Sequence, residues 1–183
     1  MGEPAAGRGG TRPGRIVGPR PGVDPVRLAA LETLKAVRVD DAYTNLVLPS
    51  VLRQFDLHGR DAAFATELVS GTIRHRGTYD AVLAACVDRP LSKVEAKVLD
   101  ALRLGCHQLL SMRVPAHAAI STTVDLVRAK GTSGAGGFTN AVLRRVDTAP
   151  EQSPPLRFEG LTIDPAGRRV FAGPDEAEVQ LTQ

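Results

Sequence analysis

The sequence predicts an all-α fold, a helical bundle over residues 24–147. Three observations predict it. Apolar residues recur at helical spacing in one segment after another between Val26 and Val146. No part of that span sustains the alternating pattern of a half-buried strand. Start and stop residues, among them Asp24-Pro25, Pro90 and Pro115, cut it into pieces of helical length with short joints.

The elements follow in order. Residues 1–23 are a Gly/Pro/Arg arm that buries too little apolar surface to offset its ordering, so disorder is expected. Its arginines (Arg8, Arg12, Arg15, Arg20) read either as a basic arm that tracks phosphates or as compositional bias alone. Order is expected from Asp24, a good N-cap, and Pro25, a good first helical residue. Val26, Ala29, Ala30, Leu34 and Val37 then lie on one stripe. A second helix is expected over Asn45–Phe55, with Pro49 shifting or kinking it. A third covers Arg60–Arg74, and Gly77 marks the joint to a fourth, Thr78–Val87. After Pro90, Ser92 and Glu95 have the spacing of a capping box and open a long helix reaching Met112. Pro115 starts the next, to about Lys130, and the last runs from Gly137 to Val146.

Residues 148–155 read as a linker. Residues 156–183 hold short β-prone runs split by Pro-Ala-Gly and Gly-Pro-Asp, so a small antiparallel sheet of about four strands is expected there.

Net charge is +3, unevenly placed. From Asp147 onward seven acids face three bases, so residues 1–146 carry +7 against −4 in the tail. A basic body suggests a polyanionic partner, though solubility alone would also account for it. No apolar run is long enough for a membrane span, and nothing at the N-terminus reads as an export signal. Cys86 and Cys106 sit in apolar helical patterns and read as small buried hydrophobes. A reducing, cytoplasmic setting and no membrane partner are expected.

Four segments in order carry a family likeness: Asp61–Arg74 (DAAFATELVSGTIR), Ala101–Leu110 (ALRLGCHQLL), Val114–Ile120 (VPAHAAI) and Gly137–Arg145 (GFTNAVLRR). Together they resemble the NusB family, and within it the NusB-like N-terminal domain of RsmB-type (Sun) 16S rRNA cytosine-5 methyltransferases. The likeness covers about residues 25–146. Two positions depart from it. Ser121-Thr122 stands where the family usually has Asn-Glu, and Cys106-His107 stands where an aromatic is frequent. The tail, Leu156–Val170 with Val179–Thr182, is similar to the opening sheet of a response-regulator winged-helix domain.

The resemblance implies a NusB-like bundle that binds RNA, rRNA in particular, often beside a ribosomal protein or a methyltransferase domain. A protein-binding adaptor of the transcription-antitermination type is the alternative, and a methyltransferase fragment without activity of its own is another. In the methyltransferases that own this domain the chemistry lies in a following Rossmann-like domain. S-adenosylmethionine is therefore expected only where such a domain is supplied elsewhere. Within this chain no strand leads into a glycine-rich turn and helix of dinucleotide type. Gly131–Gly137 is glycine-rich but follows a helix and lacks the Gly-Lys-Ser/Thr ending of a phosphate loop. The four histidines (His58, His75, His107, His117) show no metal spacing. No catalytic residue, metal or cofactor is assigned.

What remains is phosphate binding by cationic donors. The candidates are Arg27 and Lys35 on the first helix, Arg74, His75 and Arg76 at the end of the third, Arg113 and Lys130 flanking the penultimate helix, and Arg144 and Arg145 on the last. The Arg74–His75–Arg76 cluster is the strongest, since two guanidiniums and an imidazole meet beside a helix joint. With two Tyr, five Phe and no Trp, base stacking should contribute little and binding should be salt-sensitive. Engagement of about four phosphates of a single strand would give a log–log salt slope of about −3.

Overall fold

The structure, a computed structural model, describes residues 18, 22–40, 42–112, 114–130 and 134–152, with side chains as far as Thr148, and beyond these the backbone of four short strands. Most of the arm predicted over residues 1–23, residues 153–155 of the predicted linker, and Arg113 lie outside the described residues. The helices are α1 (Pro25–Asp40), α2 (Thr44–Gln54), α3 (Gly59–Arg74), α4 (Arg76–Cys86), α5 (Ala96–Leu110), α6 (Ala116–Ala129) and α7 (Ala135–Gln152). The chain divides within α3 into two compact units, residues 1–69 and 70–183, each described by itself.

In the first unit, α1 starts as its sequence dictates. The Asp24 carboxylate accepts the Arg27 backbone N–H at 2.8 Å, and Pro25 occupies the first helical position, where no N–H is needed. Its middle is buried on every side from Leu28 to Leu34, not only along the expected stripe. A helix enclosed this way must satisfy its polar groups locally: the Thr33 hydroxyl donates to the Ala29 carbonyl at 2.9 Å.

α2 packs on α1 and passes through Pro49 without ending. Pro49 and Asn45 are both exposed, so water can take the carbonyl that the missing N–H leaves open. Asp56, at φ 53°, then closes the helix. Its N–H reaches the Arg53 carbonyl at 3.2 Å and the Leu57 N–H reaches Leu52 at 3.0 Å, the paired bonds of a left-handed C-terminal cap.

In the second unit α5 is the central helix, packed by α4, α6 and α7 and buried continuously from Asp100 to Gln108. Several boundaries differ from the sequence expectation. The capping box does not form. Leu91–Lys93 make a 3-10 turn, Val94 is extended and buried, and Glu95 is itself the N-cap without a side-chain cap bond. Burying Val94 outweighs one reciprocal cap, and Glu95 instead pairs with Lys97 at 2.9 Å. The joint between α3 and α4 is His75, not Gly77, because the His75 carbonyl already accepts the Tyr79 N–H at 2.9 Å. Pro115 is the N-cap of α6 (ψ 135°) and not its first helical residue.

α7 starts two residues before Gly137 and runs on to Gln152, through Pro150 and into the stretch read as linker. Near this end the Thr148 hydroxyl donates to the Arg144 carbonyl at 3.0 Å. Along the segment after residue 155 the strands β1 (Leu156–Phe158), β2 (Leu161–Asp164), β3 (Arg169–Ala172) and β4 (Ala177–Glu178) form an antiparallel sheet in chain order. Its register sets Leu156 opposite Ile163, Ile163 opposite Val170 and Phe171 opposite Glu178.

Candidate nucleic-acid interface

Arg74 closes α3, His75 is the joint and Arg76 opens α4, and all three side chains are exposed. A buried polar layer between α4 and α5 fixes this corner. The Tyr79 hydroxyl lies 2.8 Å from His107 Nδ1 and 2.7 Å from Ser111 Oγ. The single phenolic proton can go to only one of these partners, so the other must donate to the phenol oxygen. One residue along, Asp80 takes a two-pronged contact from Arg103, at 2.7 Å to Nε and 2.9 Å to Nη2. Such fork-to-carboxylate pairs are directional as well as strong. Arg103, only 6% exposed, also reaches Asp100 at 3.2 Å. Asp80 is thus engaged from below, and Arg76 meets it only at 3.9 Å while staying 61% exposed. Arg74 makes no ion pair among the described residues.

The other end of α4 carries a second cationic group. Arg145 of α7 donates to the Cys86 carbonyl at 3.0 Å, where the helix presents its negative pole, and to Asp88 at 3.2 Å. Nearby the Arg89 guanidinium lies over the Phe138 ring, 5.0 Å from its centroid. With Lys93, Glu95, Val94 and Val98 these two line an open cleft of about 300 Å³ beside the start of α7. α4 has 11 residues, so the two groups stand about 16 Å apart along its axis.

The remaining sequence candidates are placed differently. Arg27 is held by Asp24 at 3.0 Å and covers the Phe64 ring at 5.0 Å, with 12% of its side chain exposed. It braces the start of α1. Lys35 pairs at 3.8 Å with Glu32, which is itself buried. Lys130 caps α6, and its carbonyl accepts the Lys97 ammonium at 3.2 Å. Arg144 is exposed and donates to the Asn140 side-chain oxygen at 3.3 Å. Arg74, His75 and Arg76 are thus consecutive exposed residues at one helix joint, Arg89 and Lys93 line one cleft, and Arg145 reaches Cys86 and Asp88.

Sequence reasoning missed Arg89, Lys93 and the Asp80–Arg103–Asp100 network, and Phe138 is half-buried. Arg89 and Phe138 are far apart in the chain, so no local pattern joins them. The one usable signal was Asp100 and Arg103 one helical turn apart inside an apolar stretch, since buried charges must be paired.

Nothing at these sites suggests covalent chemistry. Cys86 and Cys106 are free and buried. Burial raises the Cys86 thiol, against a lowering by Arg145. Burial first, then Cys86 and Asp80, hold the Cys106 thiol far above its ordinary range. Thiols of this kind are poor nucleophiles at neutral pH. Among the described residues no cluster of three or more His, Cys, Asp or Glu side chains could hold a metal, and no helix is long and apolar enough to cross a membrane. At the departures from the family pattern, Thr122 donates to the Ala118 carbonyl at 2.7 Å, and His107 fills its place with the bond to Tyr79.

Comparison with known proteins agrees with the helical architecture. The NusB family matches residues 24–148. A chain of Mycobacterium tuberculosis named as a methyltransferase is 52% identical over 131 residues, which cover 72% of this chain and 29% of that one. Ribosomal RNA small subunit methyltransferase B of Pseudomonas putida is 35% identical over 142 residues, covering 78% and 31%. The chain thus spans under a third of the length of these curated relatives. In a crystal structure of the antitermination factors NusB and NusE with double-stranded RNA, one chain superposes with a TM-score of 0.62 at 23% identity, covering 68% of this chain and 94% of that one. At that identity the likeness speaks to the fold.

Proposed function

The chain belongs to the NusB family, and from that premise we propose that it binds RNA, ribosomal RNA foremost, along the α4 side of its second unit. The observation that carries this reading is the exposed Arg74–His75–Arg76 corner, seated on a turn whose own carboxylate, Asp80, is occupied by Arg103. A guanidinium not neutralised from within can release counterions from a phosphate backbone. Arg145, Arg89 and Lys93 extend the contact to the other end of α4, and Phe138 offers a ring against which one base can rest. Arg144, Lys130 and Arg113 are secondary contacts, and Lys35 lies on the first unit. Arg27 acts on stability first.

No residue of this chain is assigned a catalytic role. In the proposed setting it holds rRNA for a methyltransferase domain supplied elsewhere, and S-adenosylmethionine would be bound by that domain in the cytoplasm. A second reading, an adaptor that docks a ribosomal protein or the methyltransferase domain itself, is favoured by three large apolar residues left exposed on the first unit, Val39, Tyr43 and Leu46.

The test is fluorescence anisotropy of labelled 16S rRNA fragments at two salt concentrations, with wild type and an Arg74→Ala/Arg76→Ala double variant. Wild-type binding should weaken with a slope near −3, and the variant should lose about one to two phosphate contacts from that slope. Absence of RNA binding at low salt leaves the adaptor reading.

A further inference from the structure

His75 stands between Arg74 and Arg76 with its ring exposed, and the ring does not hang free. It lies 5.9 Å from Tyr79 and nearly parallel to His107, at 6.4 Å and 18° between planes. His107 is 1% exposed and its Nδ1 is bonded to the Tyr79 hydroxyl, which also meets Ser111. The exposed imidazole is therefore backed by a fixed one, and an arginine precedes and follows it in the chain, both exposed.

Arg74 from α3 and Arg76 from α4 oppose a positive charge on the ring. Asp80 from α4 would favour one, but Arg103 from α5 holds that carboxylate in two bonds and is shared with Asp100. His107 and Tyr79 present a ring and a hydroxyl. In the unbound protein the balance around His75 is thus cationic. Phosphate oxygens arriving at Arg74 and Arg76 reverse it.

We propose that His75 takes up a proton when RNA phosphates settle on the Arg74–Arg76 corner, so that the grip on RNA tightens as the pH falls. This deepens the RNA-binding reading and rests on it. Imidazole is the one side chain whose ordinary titration lies between about pH 5 and pH 8, so the effect belongs to that window. The sign follows from linkage: a ligand that binds the protonated form better is bound more tightly where protons are more available. The cost of a third cation is met by a third contact to phosphate, which also steepens the salt dependence. Tyr79 and His107 are positioning residues here. They touch no RNA and fix the plane of the ring that does.

The experiment uses the full chain and a fluorescein-labelled single-stranded RNA of about 16 nucleotides and mixed sequence. Affinity is measured at about pH 6 and about pH 8 at one ionic strength, and calorimetry in buffers of different ionisation heat counts the protons taken up. Wild type should bind roughly tenfold more tightly at the lower pH, with an average uptake of about half a proton across the interval. His75→Gln should bind equally at the two pH values and show no uptake, whatever affinity it retains. Tyr79→Phe should reduce the uptake without abolishing binding, and circular dichroism establishes that each variant is folded. Equal affinity at the two pH values, or a tightening that survives in His75→Gln, overturns the proton uptake and leaves RNA binding intact. Failure of wild type to bind at either pH overturns both.

Discussion

Gly105 of α5 faces Leu143 of α7 so closely that a Cβ placed on the glycine would lie 2.8 Å from each of the two leucine methyl carbons. Both residues are buried, and Leu143 is fully enclosed, so an added methyl forces its side chain to repack inside the core. Gly105→Ala gains up to about 1 kcal/mol of helix propensity. Overpacking costs about 1–3 kcal/mol, and it should win. The variant should unfold at lower denaturant. Leu143→Ala alone should also destabilise, by loss of burial, yet the double variant should be more stable than the sum of the two losses. Additive losses would mean that the helices separate freely at this point.

Arg103 binds two carboxylates of unequal burial. Asp100 has 5% of its side chain exposed and Asp80 30%. Arg103→Met removes the guanidinium from both and should cost about 3–5 kcal/mol, the range for breaking a buried pair from one side. Asp80→Asn should cost much less, since Arg103 keeps Asp100 and the amide stays near water. Urea unfolding of the two variants ranks them, and the reverse order would place the weight of the network on Asp80.

The helical framework was legible because its signals are local. Asp24 and Pro25 sit next to each other in the chain and act on the same turn, and the α1 start follows from them. The Arg74–His75–Arg76 corner was legible for the same reason: three neighbours at a helix end cannot be far apart. The capping box failed because Val94 is needed in the core, a demand that comes from packing within the second unit and leaves no mark in the spacing of Ser92 and Glu95. The burial of α1 on every side was under-read because Leu28 and Leu31 fall outside the stripe and Glu32 and Thr33 read as a polar face. The cleft under Phe138 was invisible since its second wall, Arg89 and Lys93, arrives from the other side of two helices.

Arg74 and Arg27 separate a binding role from a bracing role. Arg27→Ala removes the contact to Asp24 at 3.0 Å and uncovers the Phe64 ring. It should lower stability by about 1 kcal/mol, through lost packing as well as lost charge. Its salt slope for single-stranded RNA should stay at the wild-type value. Arg74→Ala should leave the melting temperature nearly unchanged and reduce the slope by about 0.7, one single-strand phosphate. Thermal melts and salt titrations on both variants give four numbers, and a steep loss of slope in Arg27→Ala would move the interface onto the first unit.

The buried thiol of Cys106 gives a pH dependence whose sign can be worked out. Burial, with Cys86 and Asp80 adding to it, raises this thiol far above the ordinary 9.0. Below about pH 9 the group is neutral in both folded and unfolded chains and stability does not depend on it. Above that the unfolded chain releases a proton that the folded chain retains, so unfolding becomes easier as the pH rises. The loss approaches about 1.4 kcal/mol for each further pH unit until the folded thiol itself ionises. Other groups titrate in the same range, so the measurable quantity is a difference. Between about pH 8 and about pH 10, wild type should lose stability more steeply than Cys106→Ala, although the variant starts lower because of the small cavity it opens. Parallel curves would mean that this thiol reaches water in the folded protein. The native chain would then react readily with a thiol reagent at alkaline pH, where a buried Cys106 should stay silent until denaturant is added.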